Sequence, residues 1–133
     1  MNSRIAELAH FAEDIHWLDA ASAVEAYELM RRFDSRTRLG LDSTKVQSIE
    51  RLEFGDDVRA GTAWLQARLS SSESLVVVFG NDDCFRCDAA FFVNNWQDIF
   101  LPARDDAMVY SESSNLVLFV NHESEFEAGQ RPL

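Results

Sequence analysis

The run Leu75-Val76-Val77-Val78-Phe79 constrains the fold more than any other segment of the chain. It is continuous, apolar and rich in β-branched side chains, and it is too short for an ordinary helix, as expected of a buried strand. Before it, apolar residues recur mostly at helical spacing; after it, the patterning is mostly strand-like. The switch at Leu75 predicts an α+β domain, with helices from the N-terminal half packed on one face of a mainly antiparallel C-terminal sheet.

In the N-terminal half, Ile5, Leu8, Ala12 and Ile15, widened by Phe11 and Leu18, mark a first amphipathic helix that Asn2 or Ser3 can cap. Ser22-Ala-Val-Glu25 fits a capping box opening a second helix, with Ala23, Tyr27, Met30 and Phe33 on one side. The bases of residues 31–38 fall near that helix's C-terminus, where they complement its dipole. Residues 39–54 fit either helical turns, through Val46, Ile49 and Leu52, or a strand. Asp56 or Asp57 caps a further helix carrying Val58, Thr62, Leu65 and Leu69.

Beyond the apolar run, Gly80-Asn81-Asp82-Asp83 reads as a turn. Residues 88–100 fit a helix capped by Asp88 and stopped at Pro102, or a strand followed by a helical turn. Residues 107–110 and 116–120 read as two antiparallel strands joined by a serine-rich turn. Neither a repeat nor a biased linker divides the 133 residues, so residues 1–133 are expected to form a single domain.

Twelve basic against 23 acidic residues give a net charge of −11. Such a field disfavours nucleic acid and anionic membranes and favours a basic protein partner. The imbalance is sharpest in residues 81–133, which hold 10 acids and 3 bases. No apolar stretch reaches the roughly 18 residues of a membrane span. The first residues carry charges where a signal peptide needs an apolar run, so a cytoplasmic protein is expected.

Cys84-Phe85-Arg86-Cys87 is a CxxC motif between a strand and a possible helix, superficially like the thioredoxin arrangement. Dithiol exchange through Cys84 and Cys87 is the alternative function that it suggests. Against it stand Asp82 and Asp83, whose charge raises a nearby thiol's pKa, and the absence of a suitable downstream proline. The histidines are scattered: His10 and His16 fall on different sides of a helix, and His122 lies far away. The pairs Asp56-Asp57, Asp82-Asp83 and Asp105-Asp106 sit at turns or helix starts, where aspartate is favoured for capping alone. No metal site, cofactor or catalytic residue is expected.

Glu123, Glu125 and Glu127 alternate with Ser124, Phe126 and Ala128. In a strand the three carboxylates would form a row on one side, roughly 6–7 Å apart, with Phe126 turned to the core. Together with Asp105 and Asp106 this row is the candidate surface for docking a basic partner. The same charges on an edge strand would also prevent aggregation.

Trp96-Gln97-Asp98-Ile99-Phe100, the Asp105-Asp106 pair opening a strand, residues 116–119, His122-Glu123, Phe126 and Gly129 form a further pattern. In these features the C-terminal third resembles small bacterial immunity-type proteins encoded beside toxins. The resemblance implies a cytoplasmic inhibitor that binds and blocks a cognate toxin domain by surface complementarity rather than catalysis.

Overall fold

The computed structural model of the protein describes residues 3–101 and 104–132. Asn2 and Pro102, expected to cap and to stop helices, lie outside the described residues. In chain order come α1 (Ser3–Glu7), a 3₁₀ turn (Ala9–Phe11), β1 (His16–Trp17), α2 (Ala20–Arg31), β2 (Gln47–Glu53) and α3 (Val58–Arg68). They are followed by β3 (Ser74–Val78), β4 (Cys84–Asp88), α4 (Ala89–Ile99), β5 (Ala107–Ser111), β6 (Leu116–Asn121) and β7 (Glu125–Gln130). All seven strands join one sheet, in the order β1-β4-β3-β5-β6-β7-β2, and every neighbouring pair is antiparallel. The α+β class and the antiparallel sheet are those read from the sequence.

The helices divide between both faces of this sheet instead of sharing one. Alternation along the strands sends Leu75, Val77, Phe85, Val109, Leu118 and Phe126 to a layer shared with α3 and α4. Val76, Val78, Cys84, Met108, Val117 and Phe119 face the other way, against Ala23, Ala26 and Met30 of α2. Central strand β3 is therefore buried on both sides, which is why residues 75–78 show no polar alternation.

Two N-terminal expectations change. The first helix is confined to Ser3–Glu7 and the 3₁₀ turn, after which His16 and Trp17 pair with Arg86 and Phe85 of β4. The Leu18 N–H also donates to the Cys84 carbonyl at 2.9 Å. Pairing the outer backbone groups of β4 outweighs a local helical pattern whose Ile5 and Ala12 are exposed. In α2 the cap is Asp19, whose carboxylate accepts from the Ser22 N–H at 2.8 Å, so the helix starts two residues before the expected capping box. Asp57 caps α3 through the Ala60 N–H at 3.0 Å, as the sequence suggested.

Residues 47–53 resolve to a strand with a disguise. From Gln47 to Glu50 three residues are spent, while the partner strand passes only from Gln130 to Ala128, so β2 carries one extra residue. Ser48 takes a φ of 56° there. The bulge lets Val46 and Ile49, an odd number of residues apart, pack on the same face, while Leu52 joins the opposite layer. Three-residue spacing thus imitates a helix. Gly129 lies beneath the bulge: a Cβ there would stand 2.8 Å from the Gln47 carbonyl oxygen.

Candidate partner-binding surface

The register places four connections at one end of the sheet. Val78 pairs with both Cys84 and Met108, Ala107 with Val120, and Glu125 with both Asn121 and Glu53. The β3–β4 turn, the segment before β5, the β6–β7 turn and the β2–α3 loop therefore leave the sheet together. These segments carry Asp82 and Asp83, Asp105 and Asp106, Glu123, and Asp56 and Asp57. All three Asp-Asp pairs of the sequence meet at this end.

The five acids of the expected docking row have different fates. Glu123 and Asp106 are exposed. Asp106 Oδ1 accepts from the His122 backbone N–H at 2.8 Å and lies 2.9 Å from the ring Nδ1, and this carboxylate raises the His122 pKa. Asp105 is buried and internally satisfied, accepting from Arg104 Nε at 2.8 Å, Arg4 Nη1 at 3.0 Å and the Leu101 N–H at 2.7 Å. Burial alone would push its pKa up, but these donors hold it below the usual carboxylate range.

Glu125 and Glu127 are buried as well, on the α2 side of β7. Glu127 accepts from Arg38 Nη1 at 2.8 Å, Arg38 Nη2 at 3.2 Å and the Leu41 N–H at 2.8 Å. Glu125 is paired with Arg51 and accepts from Asn121 Nδ2 at 2.8 Å; these bonds overcome its burial and lower its pKa. Glu123 belongs to the turn before the strand. The expected row therefore does not form, and β7 is not an edge strand, because β2 covers its outer side. Alternation was read correctly, but it points two of the carboxylates inward to arginines supplied from residues 38 and 51.

The CxxC motif lies inside β4, not at a helix start. Cys84 and Cys87 are three strand positions apart and so project from opposite faces, one into each buried layer. They cannot approach each other to form a dithiol centre. Cys84 Sγ lies 3.1 Å from the Gly80 carbonyl oxygen; burial, then the charges of Asp83 and Asp82, push its pKa up to about 12. Burial, then Asp88, pushes Cys87 up to about 12. Among the described residues no group of three or more His, Cys, Asp or Glu side chains could hold a metal ion.

A feature that the sequence did not single out is an apolar cavity of about 190 Å³ at the acidic end. Phe54, Trp96, Phe100 and Val120 form its wall, and Val58 and Leu101, 40% and 44% exposed, stand beside it. Asp56 lines it, with Asp57 next in the chain. Phe54 and Trp96 meet edge to face with ring centroids 5.0 Å apart, and Trp96 Nε1 donates to Thr62 Oγ1 at 3.0 Å, so the wall is held rigidly. Of the cations at this end, Arg4 and Arg104 are engaged with Asp83, Asp105 and Glu7, Arg51 with Glu53 and Glu125, and Arg31 and Arg36 share a hollow with Asp34 and Asp106. Arg59 adds one positive charge close to Asp56 and Asp57 in the chain.

Most of these residues read in the sequence as caps or core. Only the strand register brings them together, and no sequence spacing connects residue 54 with residue 96 or 120. Among the described residues no helix is long and apolar enough to cross a membrane. No protein-family model matches this chain, and no curated protein matches it significantly.

Proposed function

We propose that the protein is a cytoplasmic binding module that docks a basic protein partner on the acidic end of its sheet. The observation that carries this reading is the apolar cavity lined by Asp56, at the same end of the sheet as the exposed Asp57, Asp106 and Glu123. A desolvated hollow can take an apolar anchor side chain, while the surrounding carboxylates steer and orient a cationic surface. The likeness of the C-terminal third to immunity-type proteins suggests a toxin domain as that partner, inhibited by occlusion.

The partner is recovered by affinity capture from the native source, and its association rate is then measured at low and high salt. Against wild type, the D56N/D57N/E123Q variant should associate about tenfold more slowly at low salt and lose most of its salt dependence. The L101D variant, at the cavity mouth, should raise the dissociation rate. A recovered partner should be toxic alone and neutralised by co-expression. An association rate unchanged by the triple substitution would sink the acidic-end reading.

A further inference from the structure

Six arginines (Arg4, Arg38, Arg51, Arg68, Arg86 and Arg104) form ion pairs with carboxylates. Three other cations, Arg32, Lys45 and Arg131, make no ion pair among the described residues and line one groove of about 900 Å³. The groove lies between α2, the turn at residues 42–46 and the ends of β6 and β7. This is the end of the sheet opposite the acidic loops. Among the described residues its lining includes no carboxylate, which is unusual for a chain of net charge −11. The nearby Asp42 is already engaged, its Oδ1 accepting from the Thr44 N–H at 2.9 Å and from Thr44 Oγ1 at 2.7 Å.

Arg31 and Arg36 offer a contrast. They line a different hollow that also contains Asp34 and Asp106, so their charge is opposed locally. Arg32 also borders a hollow with Glu25, Glu28 and Glu112, and Asp42 acts on Lys45, but these carboxylates stand outside the lining of the groove itself. Ser43 and Asn115 add neutral hydrogen-bonding groups, and Phe33 and Val46 supply apolar surface. Arg131 also has a buried Nε with no acceptor. Its Nη2 donates to the Ser111 carbonyl at 3.3 Å and its guanidinium lies over the Tyr110 ring, which fixes the cation beside the groove.

We infer that this groove binds a small phosphorylated metabolite of nucleotide size, held through its phosphates by Arg32, Lys45 and Arg131. Guanidinium groups match phosphate oxygens in pairs, and the lysine ammonium adds a compact point charge. The net negative field opposes extended polyanions such as nucleic acid or an acidic protein, whose charge spreads beyond the groove. A small ligand is governed by the local charges, within a screening length of about 8–10 Å. The groove volume falls within the range of about 300–1,000 Å³ typical of small-molecule sites.

The test is an amide chemical-shift titration of the full chain with ADP, with adenosine and succinate as controls. ADP should produce saturable shifts concentrated at residues 43–47, 115 and 130–131, and adenosine and succinate should bind far more weakly. R32Q and K45A alter exposed side chains; each should weaken ADP binding about tenfold, while R59Q on α3 leaves it unchanged. The inference is overturned by the absence of saturable shifts up to about 10 mM ADP. Equal binding of adenosine or succinate would also overturn it, as would affinity that survives in the R32Q/K45A double variant.

Discussion

Glu127 and Glu123 are chemically identical and four residues apart, yet their environments give them opposite roles. Glu127 satisfies the Leu41 N–H and the Arg38 guanidinium from a buried position, whereas Glu123 is exposed in a turn. Glu127→Ala should destabilise the fold by about 1–3 kcal/mol, because it strands a buried N–H and an arginine that is only partly hydrated. Glu123→Ala should stay within about 0.5 kcal/mol of wild type. Urea denaturation of both variants measures the difference. Asp105 adds a pH signature. Its pKa is lowered in the folded state, so its stabilisation is present above the unfolded carboxylate value of about 4 and is lost as pH falls through the folded value. D105N should therefore be less stable at pH 7 but lose less stability than wild type between about pH 5 and pH 3. Denaturant melts across that range are the measurement.

Among the elements, the contact between α3 and α4 depends on a glycine. A Cβ at Gly61 would stand 2.6 Å from Trp96 Cζ2 and 2.9 Å from its Cη2, so the helices meet where α3 has no side chain. Alanine is the better helix former by about 0.8–1.0 kcal/mol, but the displaced indole should cost about 1–3 kcal/mol. Gly61→Ala is therefore expected to destabilise the domain and alter Trp96 fluorescence. It should also disturb the apolar cavity at the acidic end, since Trp96 forms part of its wall. Thermal melts with fluorescence detection report both effects. Helix α3 itself was legible because its cap and apolar stripe are local. Strand β2 was ambiguous because its bulge converted a two-residue rhythm into a three-residue one. Strand β1 was missed because its reason for being extended lies in β4, 68 to 70 residues later.

For the whole molecule, charge is distributed by the fold rather than by position in the chain. The acidic loops gather at one end of the sheet and three unpaired cations at the other, while the paired arginines are spread between them. Self-repulsion at −11 should be relieved by salt more than the partly buried pairs are weakened. The melting temperature should rise by roughly 2–4 °C between about 20 and 200 mM NaCl, equivalent to about half to one kcal/mol. Scanning calorimetry over that range checks it; a fall would mean that the ion pairs dominate. The sequence by itself determined the class: an α+β chain, the apolar strand at Leu75, a helix cap at Asp56 or Asp57, and a strongly acidic chain. These depend on local periodicity, propensity and composition, which are carried by neighbouring residues. Tertiary structure alone decided that helices cover both faces, that Glu125 and Glu127 turn inward, and that the two thiols lie on opposite sides of the sheet. It also decided that residues as distant as Phe54, Trp96 and Val120 enclose one cavity. The physical reason is that pairing partners and burial are set between segments far apart in the chain, and no local pattern records which carboxylate will meet which arginine.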